Sequence, residues 1–504
     1  MREYRVPGVR VEDLLTEHAR ALQPGVPVFL GLVSQAAIEA RNDELTAQVD
    51  LDDQFLCKPL AGSSGPALVR KRGYLKLPSR AGDPALESQL SDRSSDNLST
   101  YLRSMPDQAR SASDRARARS SRGAGPAPRE QAPAREAPDG DLLKSVDPKP
   151  QRFADWLQFQ RTYGDLAPAG FLSYAVRGFF ENGGALCYVQ LISYGEAGEP
   201  RDISGAIATS LEAGLATLAP YDNYDLVCVP DVMWEESIRS DLEQVARLQD
   251  VVMAHCAQLG ERMAILDAVH GDKISTADVT KQRNLLTEEE GALYYPWVRV
   301  PGGPARTGGY VPPCGHVAGV YARTDQHTGV HKAPANEVLE GVVDLAVHLS
   351  DKEQGPLNDQ GINCLRAFPR RGIRVWGART LSRETSWRYV NARRVVLTAA
   401  RWIAFNLSGV AFEPNTERLW ARITRDLTAY LEDLARRGAL AGPPGEPTFY
   451  VKCDAETNPP ELRETGQVVT DIGLRPAAAA EFIVIRIIHG AAGVKIVDPQ
   501  SQTN

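Results

Sequence analysis

Few residues in this chain have both the type and the spacing to do chemistry. His255 and Cys256 are neighbours in "VVMAHCAQLG", and an imidazole beside a thiol can generate a nucleophilic thiolate. Adjacent residues on a helix do not face each other, so the dipeptide reads as core packing. His327 and His331 lie four apart in "RTDQHTGVHKAPAN", close to Asp325, a set that would suit a metal on one helical face. Gly329 and Pro334 interrupt a helix there, and the segment reads as a loop without a metal. The run Glu288 to Glu290 in "TEEEG" reads as a solvated turn and not an acid/base pair.

Wider motifs are missing. The seven cysteines, at 57, 187, 228, 256, 314, 364 and 453, stand singly with no C-x-x-C pair, the pattern of reduced core thiols in a chain assembled in the cytosol. The turn "SYGEAGEPRDISG" follows a strand but holds neither G-x-G-x-x-G nor G-x-x-x-x-G-K-[ST], so no amide cradle for phosphate is expected. H-E-x-x-H and G-x-S-x-G are also absent. No catalytic residue, cofactor or metal is assigned.

The elements that would carry such groups are clearer. From Ala185 the order is "LCYVQLI", "SGAIATSLEAGLATLA", "YDLVCVPD", "SDLEQVARLQDVVMAHCAQLG", "RMAILDAV", a strand and helix alternation of the β-α-β type. The second helix opens on Ser240 with Glu243 three residues on, a capping-box spacing, and sets Leu242, Val245, Leu248, Val252 and Leu259 on one face. Later, "GIRVWGART" reads as a strand bracketed by Gly372 and Gly377, with Arg374 and Arg379 pairing at its ends. "SWRYVNARRVVLTAARWIAFNL" reads as a buried helix. In "NTERLWARITRDLTAYLEDLARRGAL" apolar Leu419, Ile423, Leu427, Leu431 and Leu434 recur at helical spacing, with Asn415 as N-cap and Gly438 as stop. Both chain ends are extended: "EYRVPGVRVEDL" near the start, "EFIVIRIIHG" and "AGVKIVDP" near the finish. The first of these has no hairpin partner in sequence.

The 504 residues exceed one ordinary core, and a formal charge of −7 argues against a general polyanion binder. A secretory signal pattern and a bilayer-length apolar window of about 18 residues are lacking. Residues 79–150, rich in Ser, Ala, Arg, Pro and Asp, read as a solvated insertion in which Arg110, Arg115, Arg117, Arg119 and Arg122 are accompanied by interspersed Asp and Glu.

Three blocks in order, "PPCGHVAGVYARTDQHTGVHKAPANEVLEGVVDL", "LNDQGINCLRAFPRRGIRVWGARTL" and "WRYVNARR", resemble the tail sheath subunit of contractile phage tails and related injection systems. "VPGVRVED", "ENGGALCYVQLI", "AFEPNTERLWARITRDLTAYLEDLARRGAL" and "RPAAAAEFIVIRI" resemble the same family's terminal strand, Gly-Gly segment, late helix and last strand. His331 stands where many relatives carry an aromatic, and the insertion has no family-wide counterpart.

The resemblance implies a mixed α/β, multi-domain chain: an N-terminal arm and strand over 1–32 joining the assembly domain, a middle domain over 33–370, and a C-terminal sheath assembly domain over 371–504 with a terminal β-arm. It implies strand donation between copies, through Tyr4, Val6, Val9 and Val11 at one end and Phe482, Val484, Val494 and Ile496 at the other. Arg422, Arg425, Asp426 and Glu432, on the charged side of the late helix, are candidates for contact with an inner tube, because contacts that must release suit weak charge pairs. Implied partners are further copies in stacked six-subunit rings, an inner tube protein, and baseplate and terminal cap proteins, with no membrane and no direct nucleic acid. The product would be a phage tail or tail-like particle assembled in the cytoplasm. Two other readings are an α/β nucleotide-dependent enzyme and a non-contractile tube or shell protein.

Overall fold

A computed structural model describes residues 23–34, 149–163, 170–195, 202–271, 274–407, 409–410, 413–443, 445–477, 483–490 and 493–497. In chain order these form β1 (Pro27–Ser34), β2 (Gln151–Phe153), α1 (Trp156–Tyr163), α2 (Leu172–Glu181), β3 (Cys187–Tyr194), α3 (Ile203–Leu218), β4 (Leu226–Cys228), α4 (Glu236–Arg239), α5 (Leu242–Leu259) and β5 (Met263–Asp267). They continue as α6 (Thr276–Leu285), β6 (Gly291–Tyr295), β7 (Val298–Arg299), β8 (Tyr310–Val311), α7 (Cys314–His327), β9 (Asp344–Leu345), α8 (Asp351–Asp359), β10 (Ile362–Phe368) and β11 (Gly372–Val375). The last part holds α9 (Val390–Asn406), α10 (Glu417–Arg436), β12 (Phe449–Lys452), α11 (Pro460–Glu464), β13 (Val468–Leu474), β14 (Ile483–Gly490) and β15 (Gly493–Val497).

The strands make an eight-stranded sheet in the order β11-β10-β6-β5-β4-β1-β3-β2, a four-stranded sheet β12-β13-β14-β15 and a small sheet β8-β7-β9. In the large sheet the six inner strands run parallel and the two edge strands antiparallel. Every residue of β5 and β6 is buried, as expected of parallel strands covered on both faces. The mixed α/β expectation holds, and the alternation from Ala185 to Val269 is realised as β3, α3, β4, α5 and β5.

Three details differ from the sequence reading. The cap of α5 is Asp241, whose carboxylate accepts from the Glu243 and Gln244 amides at 3.0 and 3.3 Å, whereas Ser240 ends α4. The cap of α10 is Thr416; Asn415 instead accepts from Trp420 Nε1 and donates to the Gln467 carbonyl, both at 2.7 Å. Gly438 does stop α10, at φ +77 with its N–H on the Ala435 carbonyl. Third, residues 27–32, assigned with the N-terminal arm, lie inside the large sheet: β1 pairs with β3 on one side (Val28 with Tyr188) and with β4 on the other (Pro27 with Leu226). Its uninterrupted apolar run, buried from Pro27 to Leu32, suits an interior position. Residues 372–375, placed with the C-terminal domain, likewise form an edge of the large sheet.

Two hydrophobic cores result. The first fills the large sheet and its helices; the second lies between α9, α10 and the four-stranded sheet, around Ile403, Ile423, Leu427, Leu431, Ile472 and Ile487. Helix α9 serves both, placing Val390 and Leu397 in the first and Val395, Val396, Ala399 and Ile403 in the second. Helices α2 and α7 touch through glycines: a Cβ on Gly315 would stand 2.1 Å from the Ala175 carbonyl oxygen, and one on Gly319 2.5 Å from that of Phe179.

Candidate assembly site

The junction between the two cores holds a buried charge cluster. Arg394 and Arg401 are two turns apart on one side of α9. The side chain of Arg394 is 3% exposed, that of Asp325 near the end of α7 is 1%, and that of Asp225 just before β4 is 8%. Arg394 donates to both Asp325 oxygens at 2.8 and 2.5 Å and to Asp225 at 3.1 Å. Its guanidinium also lies 4.9 Å from the centre of the Tyr321 ring, and the Tyr321 hydroxyl bonds that of Tyr294 at 2.7 Å. Burial would depress the Arg394 pKa, but Asp325 and Asp225 outweigh it and hold the group above the usual arginine value.

The same cluster grips the start of the described chain. Asp225 accepts from the Gly25 and Val26 amides at 3.0 and 2.7 Å. Arg401 lies 3.9 Å from Asp225 and donates to the carbonyls of Asp222 and Gln23 at 3.0 and 3.5 Å. Four elements distant in sequence thus meet on one planar fork and its neighbour. Sequence reasoning missed this set; the available signal was two arginines seven apart in a helix otherwise suited to burial. Asp325, weighed above as a metal ligand, is committed to Arg394, and His327 Nδ1 lies 2.8 Å from the Arg323 carbonyl. Among the described residues no cluster of three His, Cys, Asp or Glu side chains suits a metal.

The C-terminal sheet is an antiparallel meander whose outer strands, β12 and β15, have no strand partner on their far sides among the described residues. Val484 pairs with Gly473, Val494 with His489 and Ile496 with Ile487, so these three strand candidates are brought together at one end of the sheet. Phe482, Tyr4, Val6, Val9 and Val11 lie outside the described residues, as does nearly all of the 79–150 segment. Edge strand β11, by contrast, is covered: Asn336 and Leu339 donate to Val375 and Ile373, and Val375 donates to Glu337.

On α10, Arg422 pairs with Glu413 and lies 3.8 Å from Asp426, and Arg425 sits 3.0 Å from Asp426. Glu432 is exposed on the same helix. The charged face is therefore a local ion-pair lattice above a buried apolar stripe.

The residues considered for chemistry are in structural use. Cys256 is buried, which pushes its thiol well above the usual range, and burial pulls His255, whose Nε2 lies 3.3 Å from the Tyr224 hydroxyl, down to about 4. The acidic run does not form a free turn: Glu290 pairs with Arg393 of α9, and Glu289 accepts from Ser382 at 2.7 Å. Asp231 accepts from the Leu32, Phe171 and Leu172 amides, the last two at the start of α2, and Asp267 from the Cys314 amide at the start of α7. Burial pushes each up to about 7. Beside Asp267 an internal cavity of about 10 Å³ has room for one water at most. Arg374 holds the Asn336 and Arg371 carbonyls, and Arg379 lies 3.4 Å from Asp359, so both serve the strand ends.

Residues 205–381 match the phage tail sheath protein central domain and residues 382–488 the phage tail sheath C-terminal domain. The tail sheath protein of Salmonella phage ViI is 26% identical over 180 residues, a match covering 35% of this chain and 28% of that one. The chain thus spans well under half of that curated relative. The helical sheath of the anti-feeding prophage in its contracted state is 31% identical with a TM-score of 0.54, covering 66% of this chain and 86% of that one. The contracted PVC sheath complex of an extracellular contractile injection system is 30% identical at the same TM-score, covering 67% and 86%. With both sheath domains matched in sequence order, this chain belongs to the phage tail sheath family.

Proposed function

We propose that the chain is the repeating subunit of a contractile sheath in a phage tail or tail-like particle, polymerised around an inner tube and doing its work by a change of lattice. The observation that carries this is a C-terminal sheet whose edges β12 and β15 have no further strand partner among the described residues, together with chain ends of strand-forming sequence. A donated strand completes such an edge by β-augmentation. The five residues of β15 present about four to six outward backbone groups, each worth a net ~0.5–1.5 kcal/mol when paired. One link is modest, and a lattice of them is strong.

In this reading the residues ahead of β1 serve as a terminal arm, the large sheet is the central unit, and α9, α10 and the four-stranded sheet are the assembly unit. Inner tube, baseplate and cap proteins are the partners in this reading, with Arg422, Arg425, Asp426 and Glu432 facing the tube. Work in this scheme comes from the free-energy difference between two packings of one chain, so no nucleotide site is needed. Electron microscopy of native particles should reveal long narrow and short wide cylinders, and deletion of residues 1–14 should leave a folded subunit without coherent cylinders. Normal contractile cylinders from the deletion would discard the arm assignment.

A further inference from the structure

The hairpin joining β10 to β11 carries a turn that fits solvent poorly and a partner well. Phe368 and Arg371 close it, the Arg371 amide donating to the Phe368 carbonyl at 3.0 Å. Pro369 takes the first central position and Arg370 the second, with φ +62. That second position calls for φ above zero, and glycine or asparagine normally fills it. An arginine there carries backbone strain that a glycine would not. Next to it Arg371 donates to the neutral Asn336 side chain at 2.9 Å, and both arginines are exposed. Neither has an acidic partner within ion-pair distance among the described residues. The turn therefore holds two uncompensated cations on a backbone that would be more stable with a smaller residue.

The opposite character appears between α5 and α6. A surface groove of about 420 Å³ there has an apolar floor of Ala246, Val251, Ala254 and Leu285, and Leu285 is 38% exposed. Glu243, Asp250 and Glu288 line it against a single cation, Arg247. Asp250 is held in place by the Thr287 and Glu288 amides. Partial burial, and then Asp250, Glu290 and Glu289 beside it, push the Glu288 pKa up, so acidic groups crowd this edge of the groove.

We infer that this groove receives the Arg370–Arg371 turn of a second copy, giving a head-to-tail contact between central units. The inference rests on the sheath reading above, because it needs many copies held in register. Every copy carries both halves on different parts of its surface, and such a heterologous contact propagates into rings or helices without closing on itself as a two-fold dimer does. The charge is complementary, and the apolar floor offers a seat to the proline and the aliphatic stems of the arginines. The contact reads as weak and salt-sensitive, suited to a joint that is remade when the lattice changes.

The test uses full-length chain assembled into cylinders, followed by sedimentation and electron microscopy across a salt series. Arg370→Glu with Arg371→Glu should raise the concentration for half-assembly about tenfold at low salt. Adding Glu243→Arg with Glu288→Arg on the same chain should restore most of that loss. Arg370→Gly should melt higher than the parent and still assemble less well, a split that a purely structural turn would not show. Thermal melts confirm that each variant is folded. If the double reversal assembles with the parent's salt dependence, or the swapped chain fails to recover, the contact is wrong while the sheath reading stands. If the parent itself yields no cylinders, the sheath reading falls and this contact with it.

Discussion

Replacing Arg394 by Met tests whether the buried cluster couples the two cores. The substitution keeps an unbranched stem of similar length and removes a guanidinium that makes three hydrogen bonds to two carboxylates. Asp325, 1% exposed, loses its counterion; burial already raises its pKa to about 6 with Arg394 in place, so without it the buried carboxyl must either stay charged and unpaired or take up a proton. Removing one partner of a buried pair in this way costs about 3–5 kcal/mol, a large share of the 5–15 kcal/mol typical of a domain. Asp225 keeps the Gly25 and Val26 amides and Arg401, so its loss is smaller. Arg394→Lys retains the charge but cannot hold both acids in one plane, and should cost about 1–3 kcal/mol. The double change Arg394→Met with Asp325→Leu removes the stranded carboxylate and should recover most of the loss. Calorimetry and urea unfolding are the assays. Arg394→Met should split unfolding into two transitions, the C-terminal core melting first. One transition at the parent midpoint, or a double variant as unstable as the two single changes added together, would refute the coupling.

Other outcomes follow from single features. Asp231 and Asp267 have folded pKa values raised to about 7 by burial, so the stability they contribute is fully present below about pH 4 and is lost as pH rises through 7; Asp231→Asn with Asp267→Asn should flatten the fall in melting temperature between pH 5 and 8. Gly319→Ala pushes a methyl against the Phe179 carbonyl and should cost about 1–3 kcal/mol in urea unfolding. Arg393→Ala, which removes the Glu290 pair and a cation held 4.4 Å from the Trp387 ring, should cost about 1–2 kcal/mol, whereas Arg436→Ala, from a pair 75% exposed on the arginine side, should stay within about 0.5 kcal/mol of the parent.

What the sequence revealed followed the range of the interactions. The strands and helices from Cys187 to Asp267 and the amphipathic α10 were legible because their periodicity is local. The caps slipped by one residue, since Ser240 and Asp241, like Asn415 and Thr416, are adjacent and only geometry decides which side chain reaches the free amides. The interior place of β1 was hidden, because its partners start at Leu226 and Cys187 and no turn links them. The charge cluster was hidden for the same reason: residues 225, 325, 394 and 401 share no motif, and each alone looks like a surface charge. The strands holding Val484, Val494 and Ile496 were legible from their own apolar runs, and their register follows from the meander.

The grip on the first described residues has a mechanical consequence. Gln23 is tied to Arg401, and Gly25 and Val26 are tied to Asp225, immediately before β1 enters the middle of the large sheet. A pull on anything upstream of Gln23 is therefore not taken up at a loose terminus. It is delivered to α9, at the point where both cores meet.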